Sequence, residues 1–306
     1  MRALLAYDAS SGADEAASLL MGMPWPAGAM VRVVAVIEPW ATMVPTVPLM
    51  SAGLATSPEL ESQIEGYLDG AVGDMVKRLK DAGLEADGAV LRGRPANVLT
   101  DEARAWSADL VAVGSRGHGP IASLVLGSVS AELVDQAPCP VLVAKGSASQ
   151  RVLFATDGSS SATAAEGLIA TWPMFDTSTI RVVSVAEVAQ PWHTGLAPTM
   201  YREVVNAYAE DLRTAKVELD ALAQEAAARL TAAGRSAEAR LRVGDAAAEI
   251  IDEASSWPAD LVVLGSRGLT GLSRLVLGSV ARNVLQGGRT SVLIVHDPAA
   301  TQPEVA

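Results

Sequence analysis

The apolar positions of this chain form short, nearly continuous runs, separated by longer stretches in which they recur every three or four residues. The runs Arg2–Ala6, Val31–Ile37, Ala86–Leu91, Leu110–Val113 and Val141–Ala144 are too short for buried helices. Runs of this kind are expected of strands covered on both faces. Between them, the helical period predicts helices near Gly12–Met21, at Pro58–Ala82, at Pro95–Trp106 and after Gly127. Gly83 and Gly234 stand where helix C-terminal glycines belong. Alternating strands and helices with right-handed crossovers give an α/β fold, a doubly wound parallel sheet flanked by helices. The expected sheet has five strands in the order 3-2-1-4-5.

The same pattern then repeats. LLAYDASS (4–11) matches LFATDGSS (153–160), VRVVAVIE (31–38) matches IRVVSVAE (180–187), and WSADLVAVGSRG (106–117) matches WPADLVVLGSRG (257–268). The six tryptophans pair as Trp25 with Trp172, Trp40 with Trp192, and Trp106 with Trp257. An offset near 150 residues makes each repeat a whole domain and excludes solenoid units, which are far shorter. The expected division is 1–146 and 150–297, joined by the small polar Gly146–Gln150, with a disordered tail at 298–306.

Each repeat closes on a glycine pattern. Gly114, Gly117 and Gly127-Ser128 fall within GSRGHGPIASLVLGS, and Gly265, Gly268 and Gly278-Ser279 within GSRGLTGLSRLVLGS. A glycine-rich turn that leaves a parallel strand and runs into a helix is suited to cradling phosphate. Its amide N–H groups and the positive helix end attract an anion, and glycine lets backbone approach it. A packing turn would also need glycine, but both copies reproduce every spacing. Ser128 and Ser279 are expected either to cap the following helix or to donate to a phosphate oxygen. Arg116 and Arg267 can pair with phosphate charge or stand solvated. If the strand order holds, Asp8 and Asp157 end the first strand of each repeat at the point where the winding reverses. Ligands sit there in open parallel sheets. A carboxylate there can accept hydrogen bonds from a ligand or cap the next helix. Val36 and Val185 can offer backbone groups to an adenine edge, or serve as core. The chain lacks Gly-Lys-Ser/Thr after the glycines, so the turn is not a P-loop.

Composition narrows the class further. Half the residues are apolar and no run reaches the length of a membrane span. The sequence enters a strand at once, so no signal peptide is visible. A single cysteine, Cys139, precludes an internal disulfide and fits a cytoplasmic location; burial as a structural thiol is expected of it. A net charge of −12 argues against nucleic acid as a partner. His118, His193 and His296 show no metal-ligand spacing and have no counterparts in the other repeat, and His118 reads as a loop residue in the first cradle. No nucleophile elbow or Cys–His pair appears.

Taken together, these motifs resemble the universal stress protein family in its ATP-binding subgroup. There, five-stranded parallel domains carry Gly-x2-Gly-x9-Gly-Ser/Thr and an aspartate after the first strand. The resemblance covers nearly the whole chain, twice. It implies ATP as ligand, with magnesium held through the phosphates. Position by position it implies that Asp8 and Val36 meet adenosine, that Gly114 lies on the ribose side, and that Gly117, Gly127, Ser128 and Val129 hold the phosphates. The second set is Asp157, Val185, Gly265, Gly268, Gly278, Ser279 and Val280. Cys-Pro-Val-Leu-Val at 139–143 becomes Thr-Ser-Val-Leu-Ile at 290–294, a departure that touches dimer packing more than the nucleotide site. Family pairing through the last strand implies that Val141–Ala144 and Val292–Val295 associate the lobes inside one chain, with a further homodimer left open. The expected function is a cytoplasmic ATP-binding stress-response switch with at most weak ATPase activity. A slow ATP hydrolase or phosphotransferase and an adaptor without nucleotide are its rivals.

Overall fold

The computed structural model describes residues 1–38, 58–117, 126–187, 198–269 and 277–297. Trp40, His118, Trp192, His193, part of each glycine-rich loop and the expected tail lie outside them.

The first half runs β1 (Arg2–Ala6), α1 (Ser11–Gly22), β2 (Met30–Ile37), α2 (Pro58–Asp81), β3 (Glu85–Arg92), α3 (Pro95–Ala105), β4 (Leu110–Gly114), α4 (Ser128–Gln136) and β5 (Val141–Ala144). The second repeats it as β6 (Arg151–Ala155), α5 (Ser160–Thr171), β7 (Thr179–Glu187), α6 (Pro198–Ala232), β8 (Ser236–Gly244), α7 (Ala246–Ser256), β9 (Leu261–Gly265), α8 (Ser279–Gly287) and β10 (Ser291–Val295). A single 3-10 turn, Pro173–Phe175, follows α5.

Strand order in the first half is β3-β2-β1-β4-β5, all parallel, which is the expected 3-2-1-4-5. The second half has the same order, β8-β7-β6-β9-β10. Winding reverses between β1 and β4, where Ala3 is level with Leu110 and Leu5 with Ala112. The carboxyl ends of those two strands therefore open onto one crevice. By compactness, one unit is Met1–Ser149 with Ser291–Ile294, and the other is Gln150–Thr290 with Val295–Ala306. Within the first unit, Val292 to Ile294 run antiparallel to Val143 to Val141.

Burial follows strand position. Strands β4 and β5 are buried at every residue, because helices cover both faces. Strands β3 and β8, at the ends of the strand order, instead mix exposed residues with buried or half-buried ones. The helix C-termini take the expected form at Gly83. Its φ is +88°, and Leu84 N–H donates to Leu79 across the helix end at 3.0 Å.

The paired tryptophans recur as one device. Arg32 lies 5.9 Å from the Trp106 ring and ion-pairs with Glu102 at 2.7 Å. Its counterpart Arg181 lies 4.6 Å from Trp257 and pairs with the buried Glu253 at 2.8 Å. The strand after the first crossover is thereby tied to the third helix of each half.

Candidate functional site

The loop after β1 is shaped by Asp8 and Ser10. Asp8 Oδ1 accepts from Ser10 N–H at 3.0 Å, and Ser10 Oγ accepts from Ala13 N–H at 3.2 Å as the N-cap of α1. In the second half, Asp157 and Ser159 repeat both bonds at 3.0 and 3.3 Å. The aspartates are therefore not the helix caps; the serines two residues on fill that role. Those serines also reach across to the glycine-rich loop. Ser10 Oγ donates to the Arg116 carbonyl at 3.4 Å, and Ser159 and Ser161 Oγ donate to that of Arg267 at 3.1 and 2.6 Å. One hydroxyl thus positions both loops that border the crevice.

The three glycines of each loop serve different ends. A Cβ on Gly114 would meet the Gly12 carbonyl oxygen at 2.6 Å and Ala13 nitrogen at 2.8 Å, so α1 needs glycine there to pack against β4. On Gly117 it would meet the Asp8 carboxylate at 2.5 Å, and on Gly268 the Asp157 carboxylate at 2.8 Å. On Gly127 its nearest neighbour would be 3.4 Å away, and on Gly278 3.3 Å. Both residues are extended, with φ of −62° and −60°, so neither needs glycine's positive φ. Packing within the protein explains the first two glycines, while at the third a Cβ would be tight against backbone without clashing.

Gly127 and Gly278 are also the N-caps of α4 and α8, and neither helix has a side-chain cap bond. Ser128 and Ser279 occupy the first helical position. This corrects the expectation that they cap these helices, because the break from extended backbone comes one residue earlier. Gly127 N–H is taken up by the Ser115 carbonyl at 2.9 Å, and Gly278 N–H by that of Ser266 at 2.8 Å. The positive N-termini of α4 and α8 line the crevice through Gly127, Ser128 and Val129 and through Gly278, Ser279 and Val280.

A cavity of about 470 Å³ occupies the first crevice and one of about 610 Å³ the second. Both fall in the range of small-molecule sites, roughly 300–1000 Å³. Asp8, Val36, Gly114, Arg116, Gly117, Gly127, Ser128 and Val129 all line the first. Asp157, Val185, Gly265, Arg267, Gly268, Gly278, Ser279 and Val280 all line the second. Val36 and Val185 are half-buried between buried neighbours, so their role is not purely core. Beside the first cavity, burial and then the Arg116 guanidinium push the Lys145 ammonium down to about 8.

The family model for the universal stress protein family matches residues 1–145 and again residues 148–296. The chain belongs to that family. A universal stress protein of Thermus aquaticus is 34% identical over 143 residues, which is 46% of this chain and 96% of that one. One from Mycobacterium tuberculosis is 32% identical over 197 residues, 62% of each chain. Among solved structures, a universal stress protein from Archaeoglobus fulgidus has a TM-score of 0.63 at 17% identity, with 96% of each chain covered. At that identity the likeness is one of fold.

In this universal stress protein, part of each cavity wall escaped the sequence reading. Pro95 and Leu99 of α3 line the first cavity, and Ala246 and Ile250 of α7 the second. Each pair is four apart and apolar at a helix start, a signal that ordinary core positions share. Ser130 also lines the first cavity, where its Oγ donates to the Gly114 carbonyl at 2.7 Å. The second repeat has Ala281 there, so comparing the repeats could not have found it.

Proposed function

We propose that each lobe binds one adenine nucleotide, ATP with magnesium on its phosphates, and that occupancy sets conformation or partner choice in a cytoplasmic stress response. The observation that carries this reading is the start of α4 and of α8. Each helix begins on an extended glycine, which as N-cap gives the first N–H groups no side-chain hydrogen bond, and the helix start lines the cavity. Such a terminus, open to a cavity, attracts a phosphate. The fit extends to the rest of the ligand. Asp8 offers its carboxylate at the opposite loop, and Val34, Val36 and Leu99 supply apolar wall for a base. Magnesium would be held chiefly through the phosphate oxygens and water.

Nucleotide reading and adaptor reading separate in one experiment. Denaturing the purified protein and chromatographing what is released yields adenine nucleotide under the proposal. Repeated preparations that release none, and then take up none on titration with ATP, support the adaptor.

Turnover follows from the same geometry. Asp8 and Asp157 each commit one oxygen to a backbone N–H, which leaves the lining residues poorly equipped to activate water. Phosphate release in the steady state is expected well below about 1 per second, the low end of ordinary enzymes. A faster rate that disappears in Asp8→Asn with Asp157→Asn would favour the hydrolase.

A further inference from the structure

Two hydroxyls at the start of α5 reach the glycine-rich loop, where one does so at the start of α1. Ser159, the N-cap, has Ser10 as its counterpart, but Ser161 stands where the first repeat has Gly12. Ser161 is buried, and its hydroxyl closes a ring with one residue of the loop. Its Oγ donates to the Arg267 carbonyl at 2.6 Å and accepts from Arg267 N–H at 3.3 Å. Ser159 Oγ is the second donor to that carbonyl, at 3.1 Å, so both of its lone pairs are used. Capping α5 does not require Ser161, because Ser159 fills that role. The fold does not require a hydroxyl there either. At Gly12 even a Cβ would collide with the Arg116 carbonyl oxygen, and α1 forms all the same.

What Ser161 holds is the approach to α8. The Ser266 carbonyl accepts from Gly278 N–H at 2.8 Å. A Cβ on Gly278 would lie 3.4 Å from Arg267 Cα and 3.8 Å from the Gly268 nitrogen. Arg267 and Gly268 thus adjoin the N-cap of α8, and both line the second cavity. Their peptide bond is trans, so its N–H points opposite to its carbonyl. With the carbonyl held by α5, Gly268 N–H is turned away from α5.

Resting on the nucleotide reading above, we propose that Ser161 is a positioning residue for the phosphates in the second lobe, fixing the Arg267–Gly268 peptide so that Gly268 N–H and the start of α8 serve one anion. Removing the hydroxyl releases Arg267 N–H and leaves the carbonyl one donor fewer, and the peptide can then turn. A donor fixed in advance binds a charged ligand better than one that must be ordered on binding. The base lies against the wall formed by Val183, Val185 and Ile250 and does not depend on this peptide.

Photolabelling of nucleotide-stripped protein with 8-azido-ATP and with 8-azidoadenosine, over a range of concentrations and followed by peptide mapping, measures each lobe with each ligand. In Ser161→Ala the second lobe should lose roughly tenfold in affinity for the triphosphate and less than about twofold for the nucleoside, the scale of one weakened hydrogen bond to a charged group. The first lobe should match the parent with both ligands. Ser161→Gly, which installs the residue of the first repeat, should behave in the same way, with both variants folded by circular dichroism. Unchanged triphosphate affinity, equal losses for triphosphate and nucleoside, or loss of fold in both variants would overturn the inference while leaving nucleotide binding intact. A parent that takes up neither ligand would remove the nucleotide reading itself.

Discussion

Gly127 and Gly278 carry the sharpest residue-level consequence. Their φ values lie near −60° and a Cβ would come no closer than 3.3 Å to a neighbour, tight but without a clash, so valine there should keep the fold at a modest cost. A loss of about 1 kcal/mol is expected by thermal denaturation. Each substitution should nevertheless remove nucleotide from its own lobe. Gly114→Val is the contrast, because its Cβ would press on the backbone of α1 and cost on the order of 1–3 kcal/mol. Similar melting losses at Gly114 and Gly127 would refute the distinction. Ala9 offers a test in the other direction. It holds φ of +60° where the second repeat has Gly158 at +77°. An L-residue there bears roughly 1–2 kcal/mol of strain, and glycine returns part of the gain as chain entropy. Ala9→Gly should therefore stabilise by about 0.5–1 kcal/mol. Lys145 makes stability depend on pH. Its folded value of about 8 lies below the unfolded 10.5, so the unfolded chain holds the extra proton between them and stability rises across that window. Lys145→Met should be more stable than the parent at pH 7 in urea unfolding, with the advantage shrinking between pH 8 and 10.5.

At the scale of elements, the N-cap assignments make opposite predictions for two kinds of serine. Ser10 and Ser159 cap α1 and α5 and hold the carbonyl of the glycine-rich loop. Their replacement by alanine should cost about 1 kcal/mol each and loosen nucleotide binding as well. Ser128→Ala should change stability by less than about 0.5 kcal/mol, since the first helical position accepts alanine readily, while weakening ATP affinity. A Ser128→Ala protein that melts like Ser10→Ala would return Ser128 to the role of cap. The sequence reading placed the helix after Gly127, as found, but offered Ser128 as its cap because Gly-Ser resembles a capped start and serine is the better cap by type. What decides is backbone conformation, and Gly127 is the extended residue. The same reading found the glycine loops because each residue type stands at a fixed spacing in both repeats. It passed over Pro95, Leu99, Ala246 and Ile250 because an apolar residue facing a cavity and one facing the core have the same spacing. Edge strand β3 was legible as a strand, but the exposed residues within it became intelligible only once the sheet order placed it outermost.

For the whole molecule, the duplication was the feature easiest to read, since matched strands, tryptophans and glycines all recur near one offset. Strand–helix alternation and right-handed crossovers allowed the expected order 3-2-1-4-5 without selecting it, and the structure has it in both halves. The central claim is that two helix N-termini, one per repeat, each receive the phosphates of an adenine nucleotide. Calorimetric titration of stripped protein with ATP in magnesium tests it most directly, comparing the parent with Gly127→Val, Gly278→Val and the double variant. The account predicts two sites in the parent, one in each single variant and none in the double, with all four proteins folded by circular dichroism. A folded double variant that binds ATP like the parent would contradict it.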